Sequence, residues 1–202
     1  MYDQSDVHYS GVFVTSMEPD EDLVRRVLRG DHRAYEYLLA RYQDSVAKFI
    51  WRLIPQSQDR EEICQDVFVK VFFNLHKFRF DSKFSTWLYR IAWRTALTFL
   101  RRKRLPMDVL GDEPELDQAS LESISDESRV RGIIDGEISK LRLDERSIIT
   151  LFHLQEMSVE EISEIIGKPG GTVKSILHRV RRKLKSRLEE LNPRAGFREG
   201  VA

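Results

Sequence analysis

The segment GTVKSILHRVRRKLKSR, Gly171 to Arg187, carries the clearest chemistry in the chain. Wound as a helix at about 100° per residue, it places Val173, Ile176, Leu177, Val180, Leu184 and Leu188 on one stripe. Ser175 and Arg182 point the opposite way, flanked by Lys174, His178 and Arg179. From Lys168 to Leu188 there are eight Lys and Arg and no acid. A merely solvated helix usually mixes Glu with Lys for i,i+4 pairing. A flank of unbroken cations and short polar groups suits a polyanion instead. A DNA recognition helix has this layout, with N-terminal residues at base edges in the major groove and later cations on phosphates. Thr172, Lys174, Ser175, His178, Arg179 and Arg182 are the duplex-contact candidates.

A second cationic stripe lies upstream. Leu75 to Arg104 holds nine Lys and Arg against the lone Asp81. A helix from about Phe84 into RRKR, residues 101–104, would turn Leu88, Ile91, Ala92, Thr95, Ala96 and Phe99 to one side. Arg90, Arg94 and Arg101 fall on the other, with Trp87, Trp93 and Leu97 beside them. The preceding loop, FRFDSKFSTW, adds Phe78, Arg79, Phe80, Lys83 and Phe84. Aromatics among arginines, off the core face, suit unpaired bases and their phosphates. The plainer alternative is that the rings are core and the arginines only wet.

The elements that position these stripes are helical. The 202 residues are 41% apolar and 33% charged, with few Pro and Gly, and Lys plus Arg equals Asp plus Glu at 33 each. Neutrality hides segregation: Asp108 to Glu127 holds eight acids and no Lys or Arg, among Gly111, Pro114 and several Ser, and reads as a flexible linker. The fold class is therefore all-α, two small helical domains joined by an acidic linker. The expected boundaries are a loose arm at 1–19, a four-helix front domain at 20–105, the linker at 106–128, a back domain at 129–191 and a tail at 192–202.

In the front, EDLVRRVLRG is a short amphipathic helix stopped by Gly30, and Asp31 can cap the next. That helix runs to Pro55. A third spans about Arg60 to Leu75, with Ile63, Val67 and Val71 inward and Phe72 a further inward candidate. In the back, Val130 to Leu141 forms one helix and DERSIITLFHL another, capped at Asp144. Ser158 with Glu161 makes a capping box, and Met157 with Ile162 a hydrophobic staple. GKPGG then turns the chain, and Thr172 can cap the last helix. Helix, glycine-bearing turn, longer helix is the helix-turn-helix pattern.

Enzymatic chemistry finds no support. There is no Gly-rich phosphate loop or nucleophile–base arrangement. Cys64 is the only cysteine and reads as a small core residue, and the five His are scattered, so no zinc set forms. No cofactor is expected. The apolar runs are broken by charge far short of a membrane span, and no secretory signal is visible, so a cytoplasmic protein without membrane insertion is expected.

RGDHRAYEYLLARY, ICQDVFVKVFFNLHKFR, FSTWLYRIA and GTVKSILHRVRRKL, in this order, resemble the extracytoplasmic-function sigma factors of bacterial RNA polymerase across about residues 20–190. The resemblance implies a transcription initiation factor with no catalysis of its own. Its third front helix, with Glu62, Gln65, Asp66 and Phe68, would dock on the β′ clamp helices of the core polymerase, and the β subunit is a further implied partner. The loop and fourth helix, through Phe78, Arg79, Phe80, Lys83, Trp87, Arg90, Trp93 and Arg94, would capture and melt the −10 element of promoter DNA, with a base flipped from the strand. The back domain would read the −35 duplex. The linker would run toward the RNA path, and in the free protein it is expected to shield the basic faces. An anti-sigma factor and a monomeric free state are also implied. Phe80 stands where the family usually has Gly, Arg94 where Asn is frequent, Asp144 for a frequent Pro and Ile176 for a frequent Arg. The rival reading is a helix-turn-helix regulator at an operator, which would need a dimer interface and would leave the front motifs unexplained.

Overall fold

The computed structural model describes residues 18–54, 59–102 and 126–191. The arm at 1–17, nearly all of the expected linker, and the tail at 192–202 lie outside the described residues, as does any shielding by that linker. Among the described residues all regular structure is helical.

Helix α1 (Asp20–Leu28) opens on Asp20, Glu21 and Asp22, where the helix dipole favours negative charge. It buries Leu23, Val24 and Val27 and stops at Gly30, whose φ of 96° suits a residue without Cβ. Helix α2 (Arg33–Leu53) buries Ala34, Leu38, Val46, Phe49, Ile50 and Leu53. Arg41 and Tyr42 of α2 both bond Asp20, tying the two helices together. Asp31 accepts from Arg26 at 2.7 Å just ahead of α2. Helix α3 (Arg60–Asn74) buries Ile63, Val67 and Val71. Phe72 does not turn inward: it lies exposed, its ring edge-on to Tyr35 at 5.0 Å. A short 3-10 turn, Leu75–Lys77, leads toward helix α4 (Phe84–Arg102). Its buried side holds Leu88, Tyr89, Ala92, Thr95, Ala96 and Leu100.

Helix α5 (Asp126–Ser139) opens the back half, beginning and ending ahead of the helix expected from Val130 to Leu141. Helix α6 (Leu143–Leu154) follows, and Asp144 sits inside its first turn; the N-cap position is Arg142, whose N–H donates to Glu145 at 3.3 Å. Helix α7 (Val159–Ile166) has the expected reciprocal cap. Ser158 N–H donates to Glu161 at 2.8 Å and Glu161 N–H to Ser158 Oγ at 3.2 Å. Met157 and Ile162 are both buried beside it. Gly167 ends α7 at φ 74°, a left-handed cap. Helix α8 (Gly170–Leu191) begins ahead of Thr172, which therefore does not cap it. Pro169 supplies the first carbonyl, accepting from Val173 N–H at 3.1 Å, and its own missing N–H costs nothing at a helix start.

The halves pack together, α2 against α6 and α4 against α7, and one apolar cluster runs through both. Polar contacts reinforce the seam. Arg52 of α2 pairs with Asp135 of α5 at 2.7 Å. Arg146 of α6 donates to the Arg52 carbonyl at 3.1 Å, near the C-terminal end of α2, where a cation is favoured. Burial holds the Arg146 guanidinium below its ordinary pKa. Tyr89 donates to Gln155 at 2.5 Å.

Candidate nucleic-acid interface

The helix-turn-helix is built by local rules. The Ser158–Glu161 cap fixes where α7 starts, Gly167 fixes where it ends, and Pro169 fixes the start of α8. Apolar Val173, Ile176, Leu177 and Val180 are buried on one side of α8. Thr172, Lys174, Ser175, His178, Arg179 and Arg182 are all exposed, so the structure brings the six duplex-contact candidates onto one outer surface. Ser175 Oγ donates back to the Gly171 carbonyl at 2.9 Å. Arg179, 58% exposed, holds Glu145 at 2.6 Å. The Glu145 side chain is 12% exposed while the guanidinium stays open to solvent, so a phosphate or guanine edge can compete with the carboxylate for Arg179. Farther along, Arg181 lies over the Phe152 ring at 4.7 Å and donates to His153 Nε2 at 3.1 Å. Burial, then Arg181, lowers the His153 pKa, which keeps that nitrogen an acceptor.

The upstream stripe is arranged differently from its reading in sequence. Phe78 is 5% exposed and sits among Phe84, Trp87 and Phe80, with centroids 5.9, 5.5 and 4.7 Å away. Trp93 is 6% exposed, so it does not lie free beside the arginines. Helical winding marks which side of α4 is polar, and it does not reveal that α7 covers part of that side. The same covering takes two cations: Lys83 pairs with Glu161 at 3.0 Å and Arg90 with Glu164 at 2.9 Å. Arg79 and Arg94 remain exposed, and Trp87 is half-buried. A cavity of about 240 Å³ opens between the halves, lined by Trp93, Leu97, Arg101, Leu143, Ile166 and Lys168 among others.

Phe80 is the strained member of this group. Its φ of 63° lies in the left-handed region, which costs a residue with a Cβ about 1–2 kcal/mol. The ring is 37% exposed, and the Arg25 guanidinium of α1 lies over it, Cζ 4.8 Å from the centroid.

On α3, Glu62, Gln65 and Asp66 are exposed while Phe68 is half-buried, its carbonyl accepting from Tyr35 at 2.6 Å. Asp66 pairs with Lys70 at 2.9 Å, one helical turn on. Sequence reasoning missed the apolar continuation of this strip, Val69 and Phe73, the latter 69% exposed. Their signal was available, because both extend the 62, 65, 66 spacing by a turn or two and neither belongs to the Ile63, Val67, Val71 stripe. Burial, with a smaller push from Glu61, raises the Cys64 thiol to about 11. No group of His, Cys, Asp and Glu among the described residues could hold a metal ion, and none of the described helices is long and apolar enough to cross a membrane.

Comparison with known proteins converges on one family. The profile "Sigma-70 region 2" matches residues 38–105, and "Sigma-70, region 4" matches residues 131–184. The RNA polymerase sigma-H factor of Pseudomonas aeruginosa is 34% identical over 187 residues, covering 87% of this chain and 97% of that protein. The ECF RNA polymerase sigma-E factor of Escherichia coli K12 is 37% identical over 183 residues, covering 85% and 95%. Two solved structures share the fold. CnrH in complex with the cytosolic domain of CnrY superposes with a TM-score of 0.65 at 22% identity, over 86% of this chain and 99% of CnrH. The sigma factor RpoE of Bartonella quintana, in complex with the anti-sigma factor NepR, gives 0.62 at 21% identity, over 80% and 98%.

Proposed function

The chain belongs to the extracytoplasmic-function family of RNA polymerase sigma factors, and on that premise we propose how its surface is divided among three partners. The protein is a transcription initiation factor rather than an enzyme: it binds core RNA polymerase and directs it to promoter DNA. In our reading the outer surface of α8 meets the −35 duplex, with Lys174, Ser175, His178 and Arg179 at base edges and Thr172 and Arg182 at phosphates. The observation that carries this is the exposed side of α8 from Thr172 to Arg182, where every charged residue is a cation. The strip Glu62, Gln65, Asp66 and Phe68, extended by Val69 and Phe73, meets a basic, partly apolar surface of the core enzyme, the β′ clamp helices. The loop from Phe78 to Lys83 and the outer side of α4 take the opened −10 strand. Of the eight residues assigned there, Arg79, Phe80, Lys83 and Arg94 are exposed as the protein stands. Arg90 and Trp93 reach the strand once α7 moves away, and exposed Lys83 then leaves Glu161, so the packed arrangement is the free form. Pairing with an anti-sigma factor fits the fold shared with RpoE, and residence in the cytoplasm follows from the partners.

Reversing charge on α3 separates this division from a general polyanion binder. Glu62→Lys with Asp66→Lys should lower capture of core enzyme by about ten-fold or more and abolish run-off transcription. Binding of the free chain to duplex −35 DNA should be unchanged. Equal loss in both assays would sink the assignment of α3 to the polymerase.

A further inference from the structure

Phe80 occupies a backbone conformation that glycine adopts freely, yet it carries a large ring. Core packing compensates it only in part, since the residue is 37% exposed, and two of its neighbours are a ring and a cation. One is Phe78, tilted by 52° at 4.7 Å. The other is the Arg25 guanidinium at 4.8 Å, a flat cation about the size of the ring surface it covers. Phe78 continues into Trp87 and Phe84, so Phe80 is the outermost member of a chain of rings rooted in the front core. Arg25 pairs with Asp22 at 2.7 Å, one turn away and about half exposed, a weak surface pair that gives way easily. A strained ring at the rim of a nucleic-acid surface, capped by a weakly held planar cation, has the properties of a stacking platform with a placeholder.

We infer that Phe80 stacks an unpaired base of the opened promoter strand, that the base displaces Arg25 from the ring, and that Arg25 then pairs with the adjoining phosphate. The inference rests on the reading that the Phe78–Lys83 loop meets the −10 strand, and it adds a specificity determinant contributed jointly by that loop and α1. A flat platform favours bases that stack strongly, so it would bias one position of the −10 element without hydrogen-bond readout.

The test uses holoenzyme assembled from the full chain and core polymerase, selecting from promoter fragments randomised across the −10 element. Phe80→Gly should flatten base preference at one position and reduce permanganate reactivity of the bubble roughly five- to hundred-fold, the range one stacked base is worth. Phe80→Tyr should restore both. The melting temperature of Phe80→Gly should not fall, because glycine relieves the strained φ. Arg25→Ala should leave base preference in place, lower affinity for the single strand and reduce the salt slope by about 0.7. Unchanged preference and opening in Phe80→Gly, while the wild type still selects a −10 sequence, would overturn the platform alone. A lower melting temperature with uniform loss at every position would make Phe80 a structural prop and overturn it too. If the wild type selects nothing across the −10 element, the underlying reading of the loop fails and the platform with it.

Discussion

A single side chain reports its surroundings through how hard it is to charge or to move. Cys64 shows the first. Its thiol is raised to about 11 by burial and by Glu61, so the thiolate is scarce at neutral pH. Alkylation by iodoacetamide should be much slower than for a free cysteine at pH 8, and the rate should climb until pH nears 11. A plateau near pH 8.5 would contradict the shift. Arg179 shows the second. Removing it should weaken −35 binding by about 1–3 kcal/mol and relax selection at one base pair if it reads a base edge. Uniform weakening on all sequences would restrict it to phosphate. Releasing Glu145 opposes DNA binding, so Glu145→Gln should tighten duplex binding at low salt, measured by fluorescence anisotropy. Both residues could be picked from the sequence. The partner of Arg179 could not, because Arg179 and Glu145 stand on different helices and no local spacing connects them.

Helices and turns were the most legible part of the chain, and α7 shows why. Its cap, staple and left-handed terminus are all written within a few residues of one another, so reading them requires no knowledge of the fold. Gly167 gives a clean check. A Cβ there would meet no atom within 4 Å, so Gly167→Ala should cost only backbone strain, about 1 kcal/mol, in urea unfolding. A much larger loss would mean hidden crowding. The misjudged starts were those where a proline or an upstream carbonyl outcompeted a side-chain cap, as Pro169 does ahead of Thr172. On α4 the period correctly found the front-core side through Leu88, Ala92 and Ala96. It misplaced Trp93 because a helix sandwiched between two neighbours is buried on two sides, and periodicity identifies a polar side without saying what covers it.

At the scale of the molecule, the seam between halves joins residues far apart in sequence: Lys83 with Glu161, Arg90 with Glu164, Arg52 with Asp135. Composition suggested that acids would quiet the basic surfaces and pointed to the linker. The linker lies almost wholly outside the described residues; among those described, carboxylates of helices pair with the basic surfaces. Glu164→Arg would set like charges against Arg90. It should raise the radius of gyration of the free protein in small-angle scattering and the reactivity of Trp93 toward oxidants. An unchanged radius would mean that buried Trp93 and its apolar neighbours hold the seam without the ion pairs.

Glu161 does two jobs with one carboxylate: it closes the cap of its own helix and grips Lys83 from the other half of the protein. That coupling limits modular exchange. A hybrid factor given the back half of a relative would keep the cap wherever its own Ser and Glu travel together, yet it would keep the grip only if the recipient also supplies a cation at position 83. Recombination and protein engineering should therefore favour crossover points that carry these positions as a set, even though a gene map would place them in separate modules.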